Sequence, residues 1–116
     1  MKDNVVKDKS LEFAVRIVNL YKFLVNEQKE FVMSKQILRS GTSIGANIRE
    51  AEQAQSRADF INKLNIALKE ANETEYWLEL LIRTEHITRE QYESINNDST
   101  EINKLLISII KTTKNN

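Results

Sequence analysis

The sequence predicts an all-α protein, an antiparallel up-down-up-down four-helix bundle. Three observations carry the prediction. The 116 residues include no Pro and only two Gly, while the helix formers Glu, Lys, Leu and Ala are abundant. Apolar residues recur at intervals of three and four along most of the chain. The periodic segments number four, and the polar links between them are short, as antiparallel neighbours require. The length allows one domain over residues 1–116, with its core at about 10–112.

The first helix is expected over about residues 10–27, with Ser10 as its N-cap. Leu11, Ala14, Val18, Tyr21 and Val25 form one apolar stripe, and Phe13, Ile17, Leu20 and Leu24 form a second beside it. The polar break "NEQKEF" has no strong turn former. The second helix runs from about 31 to 54, with Ile37, Gly41, Ile44, Ile48 and Ala51 in one continuous stripe. Ser56 opens the third helix, with Asp59 three residues on in the manner of a capping box. Phe60, Leu64, Ala67, Ala71, Thr74, Leu78 and Leu81 then keep a seven-residue repeat, the seam of helices packed at shallow angles. Thr88 with Gln91 caps the fourth helix, in which Ile95, Ile102 and Ile109 repeat at seven. Lys111 and Lys114 suit its C-terminal dipole. The stretch "NNDST" at 96–100 is its weak point, because such side chains compete for backbone hydrogen bonds, and "TTKNN" is expected to fray.

Both glycines fall in "SGTSIGANIREAEQAQS", which reads either as a ligand-cradling loop or as a helix with a bald face. A phosphate loop needs Gly-Lys-Ser/Thr, yet Gly45 is followed by Ala46 and Asn47. A dinucleotide fingerprint needs a preceding strand, and no strand is predicted. Gly41 and Gly45 are therefore helix-packing residues, whose helix penalty of roughly 0.5–1 kcal/mol each is offset by a close neighbour. Asn47, Glu50 and Glu70 are polar groups beside apolar stripes. They are expected to have structural roles, with the two carboxylates half-buried and paired to Arg39, Arg49 or a base from another helix.

The remaining chemistry is sparse. With no Cys there is no disulfide or thiolate site. Carboxylate-bridged di-iron bundles need Glu-x-x-His pairs, and the only histidine, His86, has Arg83 three residues before it. The expectation is a protein without catalytic, cofactor-binding or metal-binding residues. No apolar run is long enough to span a membrane, and "MKDNVVKDKS" lacks the apolar core of a signal peptide, so a cytoplasmic location is expected. The net charge is zero. Residues 1–58 hold ten basic and seven acidic residues and residues 59–116 hold seven and ten, giving +3 and −3. That asymmetry reads as ordinary surface charge or as complementarity between the halves.

The stretches "SKQILRS", "SIGANIREA" and "FINKLNIALKEANETEYWLELL" resemble the bacterial proteins encoded within intervening sequences of 23S rRNA genes. These are similar to the accessory variability (Avd-like) proteins of diversity-generating retroelements. The resemblance spans about residues 10 to 112. It implies a four-helix protomer, a homopentamer, no catalysis, and an RNA, DNA or protein partner. The strongly basic surface of the retroelement proteins has no counterpart in this neutral chain.

Two surfaces are expected to serve such roles. Apolar residues surround much of the third helix near its end, so Trp77, Leu80 and Ile82 are candidates for an interface between subunits. Lys35 and Arg39 share a face of the second helix. Arg49 and Arg57 continue nearby if that helix persists to 57. This strip reads as solvated surface or as a set of phosphate contacts.

Overall fold

A computed structural model describes the backbone from Lys2 to Asn116 and the side chains from Val5 onward. It is all-helical among these residues: α1 (Lys2–Asn26), α2 (Met33–Ala51), α3 (Arg57–Arg83) and α4 (Arg89–Lys114). Each helix packs on two others, α1 on α2 and α4, and α3 on α2 and α4. The molecule measures 47 × 22 × 19 Å. At about 1.5 Å per residue, the helices span most of the long axis.

One apolar cluster runs through all four helices. Its α1 contribution is Val6 and the stripe Phe13, Ile17, Leu20 and Leu24, whereas Leu11 on the other stripe is exposed and Ala14, Val18, Tyr21 and Val25 are half-buried. The seven-residue repeat of α3 is the buried seam from Leu64 to Leu81, with Phe60 half-buried at its start. Thr74 sits within that seam. Its hydroxyl lies 2.9 Å from Ser40 Oγ of α2, so each polar group has a partner in an apolar setting.

The helix ends differ from expectation where tertiary contacts or unusual backbone decide them. α1 begins before Ser10, which is not a cap. Ser10 is buried inside the helix, and its hydroxyl donates to the Lys7 carbonyl at 3.0 Å. α1 ends as Lys29 takes a left-handed conformation, φ 54°, and Glu30 N–H returns to the Leu24 carbonyl. α2 ends at Ala51 and not at 54. The N–H groups of Glu52, Gln53 and Ala54 reach back three residues, the tight pattern of a closing turn. Ser56 caps α3 as expected, accepting from Asp59 N–H, while the Asp59 carboxylate accepts from Gln55 N–H. α3 ends with a left-handed Glu85, φ 62°. The capping box of Thr88 and Gln91 is complete in both directions.

α4 continues unbroken through 96–100. Two of its competing side chains are engaged by other helices, and a third bonds back to its own helix without breaking it. Asp98 pairs with Arg16 of α1, Ser99 donates to Glu75 of α3, and the Thr100 hydroxyl bonds back to the Asn96 carbonyl. The helix also persists to Lys114, leaving only the last two residues of "TTKNN" outside it.

Candidate interaction surface

The glycine face of α2 lies against α1. A Cβ placed on Gly41 would stand 2.7 Å and 2.8 Å from the two γ carbons of Ile17. A Cβ on Gly45 would stand 3.3 Å from the Ser10 carbonyl oxygen. These distances are the reason for the bald face: α1 comes closer to α2 than side chains there would permit. No ligand loop exists at these residues, which are helical throughout.

The basic strip is broken. Arg39 lies across the α2–α3 groove, where its guanidinium bonds Glu70 at 3.3 Å and also bonds Glu73. Trp77 Nε1 donates to the same Glu73 carboxylate at 3.0 Å. The Trp77 and Arg39 hydrogen bonds together outweigh the effect of desolvation and hold the Glu73 carboxyl below its ordinary range. Glu73 and Glu70 in turn hold Arg39 more firmly charged. Arg57 is not on α2. It is the first residue of α3, and its Nη1 donates to the Asn116 carbonyl at 2.9 Å. Lys35 and Arg49 are exposed and enter no ion pair among the described residues. The strip imagined from sequence thus keeps two unpaired cations of its four.

The three structural polar residues divide. Asn47 is half-buried and donates to the Ser43 carbonyl one turn back, at 2.8 Å. Glu70 is half-buried and paired with Arg39, as expected. Glu50, expected to be half-buried, is exposed. It meets Lys63 at 3.3 Å, on the water side of the α2–α3 groove. Its position next to Ala51 placed it near the stripe in sequence, but the helix turns it outward.

Trp77, Leu80 and Ile82 are only half-exposed, and Trp77 and Ile82 pack against the core cluster. Trp77 further meets the exposed Tyr76 edge-to-face, with ring centroids 5.0 Å apart. Phe31, Val32, Tyr76 and Ile107 are more exposed, at 53–72%, and so are Leu11 and Val15 on α1, at 54% and 55%. They are one helical turn apart and so share a face. Beside them, a shallow groove between α1 and α2 is lined by Ala14, Thr42, Gly45, Ala46 and Arg49. Leu11 belonged to a recognised stripe, but Val15 did not. The spacing of four between them is the signal that would have joined them.

The loop between α1 and α2 holds a group that the sequence did not single out. The Glu30 carboxylate accepts the N–H groups of Val32, Met33 and Ser34, at 3.1, 3.0 and 2.7 Å. It therefore caps a helix whose N-cap residue, Val32, has no side-chain acceptor. Partial burial opposes ionisation of Glu30, but the three N–H groups, aided by His86, overcome it and lower the carboxyl below its ordinary value. His86 itself lies in the α3–α4 turn, with Nδ1 2.8 Å from Thr84 Oγ1.

A family model for the 23S rRNA-intervening sequence protein matches residues 2–108. The chain is also similar to a protein of unknown function from the S23 ribosomal protein family of Bacteroides thetaiotaomicron VPI-5482. The crystal structure of that protein is 99% identical in sequence, covers 96% of this chain and 99% of that one, and gives a TM-score of 0.95. No curated protein matches the chain.

Proposed function

The chain belongs to the 23S rRNA-intervening sequence protein family, and from that premise we propose that it is a non-catalytic scaffold that works as a homo-oligomer in the cytoplasm. Within each subunit we read an antiparallel up-down-up-down bundle. Pairing numbers support this reading: Lys9 and Arg16 of α1 meet Glu101 and Asp98 of α4, and Arg39 and Glu50 of α2 meet Glu70 and Lys63 of α3. In each case one number rises as the other falls.

The single observation that carries self-association is the exposed Leu11–Val15 face beside the small-residue groove of α1 and α2. An apolar patch rimmed by charge marks an association site. Here the rim is Lys7 and Arg49. The count of five comes from the family resemblance alone. A non-catalytic role accords with the placement of reactive side chains. His86 is engaged by Thr84, and the Glu70, Glu73 and Glu75 carboxylates are held by Arg39, Trp77, Ser99 and Asn103. An RNA or DNA contact is the weaker half of the reading, because Arg39 is neutralised within its own subunit. Avd-like proteins, with their basic surface, are a poorer guide to this chain for the same reason.

Light scattering tests the reading. A homo-oligomer at micromolar concentration is expected for the wild type, with a shift toward monomer in Leu11→Ser/Val15→Ser. A monomeric wild type refutes the proposal. Titration of labelled RNA at low and moderate salt, with wild type and a Lys35→Ala/Arg49→Ala variant, separates the two classes of partner. Absence of binding at low salt leaves a scaffold for protein alone.

A further inference from the structure

The loop from α1 to α2 and the turn from α3 to α4 meet at one end of the bundle, where Phe23 and Gln28 line a hollow together with Ile82, Glu85, Ile87 and Arg89. The same loop carries Phe31 and Val32, exposed at 53% and 72%. Among the described residues they are the only exposed large apolar side chains adjacent in sequence, and neither lines the hollow. One end of the molecule thus holds both an apolar knob and a hollow with apolar walls. Charge at this end is divided between its two sides. On the α1–α2 side, Lys22, Lys29 and Lys35 enter no ion pair among the described residues. Of the acids there, Glu30 is taken up by the α2 cap, which leaves Glu27. On the α3–α4 side, Arg83 and Arg89 are paired with Glu79 and Glu93, and the acids Glu85 and Glu90 enter no ion pair among the described residues. Lys29 and Glu85 stand at the two turns, both left-handed, at φ 54° and 62°.

We propose that this end is a docking surface for a second copy of the chain, with Phe31 of each copy in the hollow of the other and Lys29 of each facing Glu85 of the other. A twofold axis lying across the end, between its two sides, sets the basic side of each copy over the acidic side of its partner and makes the surface self-complementary. A lipid surface is the other class of partner for an exposed Phe-Val tip. Anionic headgroups would meet Glu27, Glu85 and Glu90 as well as the lysines, whereas a second copy matches each sign with its opposite. Area sets the strength. The bundle is 22 × 19 Å in section, so each copy buries only about 400 Å², roughly half its share of a standard interface, and the pairing is weak, with a Kd on the order of 100 µM. The contact is independent of the Leu11–Val15 face and joins single chains or side-by-side oligomers alike.

Sedimentation velocity of the full chain, over concentrations that span the expected Kd, reads this contact. The unit present at micromolar concentration, one chain or several, should associate further as concentration rises. Where the unit is a single chain, growth should stop at a dimer. Leu11→Ser/Val15→Ser should shrink the micromolar unit and leave the further step intact, so the two surfaces are read separately. Phe31→Ser should abolish the further step with Tm unchanged, because the apolar anchor is lost twice in a twofold contact. Lys29→Glu should weaken it about tenfold, since two attractions become repulsions, and Lys29→Glu/Glu85→Lys should restore it to within about threefold of wild type. A wild type that does not associate further, or association that survives Phe31→Ser, overturns the proposal. A charge exchange that fails to restore pairing overturns the twofold register of Lys29 on Glu85. Binding of the wild type, but not of Phe31→Ser, to phosphatidylserine–phosphatidylcholine vesicles without further self-association assigns the tip to a lipid surface instead and overturns the second copy as its partner.

Discussion

Replacing Gly41 by Ala sets two effects against each other. In an isolated helix the change stabilises by about 1 kcal/mol, because glycine surrenders more backbone freedom on folding. In this protein the new methyl would stand 2.7 Å from Ile17 Cγ1 and 2.8 Å from Cγ2. Carbon atoms pack best at about 3.5–4.0 Å, so Ile17 or the whole of α1 has to retreat by about 1 Å. Ile17 is fully buried, and its γ carbons are fixed by a β-branched side chain with little rotamer freedom. Overpacking of this kind costs about 1–3 kcal/mol. The strain sits at the upper part of that range because backbone must move. After the propensity gain, a net loss of about 1–2 kcal/mol is expected, or roughly 4–8 °C in Tm for a domain of this size. Thermal and urea unfolding of four proteins measure it: wild type, Gly41→Ala, Ile17→Ala and the double variant. Ile17→Ala removes both γ carbons, so in that background Gly41→Ala should be neutral or stabilising, and the cycle should show a favourable coupling. If Gly41→Ala raises Tm in the wild-type background, the close approach of α1 to α2 is not what keeps this glycine.

Gly45→Leu should likewise destabilise, by about 1–3 kcal/mol, since even its Cβ meets the Ser10 carbonyl oxygen at 3.3 Å; a raised Tm would show that the residue tolerates bulk. Lys29→Gly and Glu85→Gly should each stabilise by about 0.5–1 kcal/mol, as relief of a left-handed non-glycine residue exceeds the added chain entropy; denaturant midpoints decide it. Glu30→Ala removes the acceptor for three N–H groups and should cost about 1 kcal/mol at neutral pH. The Glu30 carboxyl is lowered in the folded state, so its contribution is fully present above the ordinary carboxyl range. It fades as pH falls through the depressed folded value, and the gap between wild type and variant should close there. The fluorescence of Trp77, the only tryptophan, should titrate with a midpoint below the ordinary Glu value of about 4.3, because its indole donates to the depressed Glu73 carboxyl. Glu73→Gln should remove that transition, and its persistence would assign the change to another group.

The sequence by itself determined the number and kind of elements. Periodicity in a chain without Pro leaves helix as the state that buries each stripe, and the buried α3 seam and the Phe13–Leu24 stripe follow from spacing alone. The caps at Ser56 and Thr88 were legible because a cap is a local bond between residues three apart. So was the helical state of Gly41 and Gly45, since both stand in or beside an apolar stripe that continues on either side. Tertiary structure decided what depends on a partner distant in the chain. Arg39 lost its place in a basic strip to Glu70 and Glu73, more than thirty residues away. Arg57 fell on a different helix because α2 closed at Ala51. The links around Lys29 and Glu85 were legible as polar breaks, but neither carries a glycine, so nothing in composition marked which residue turns left-handed. Leu11 and Val15 join Trp77, Leu80 and Ile82 as candidate interface residues for a related reason. A helix apolar on more than one side does not reveal which side its neighbours cover, because that depends on how three other helices approach it.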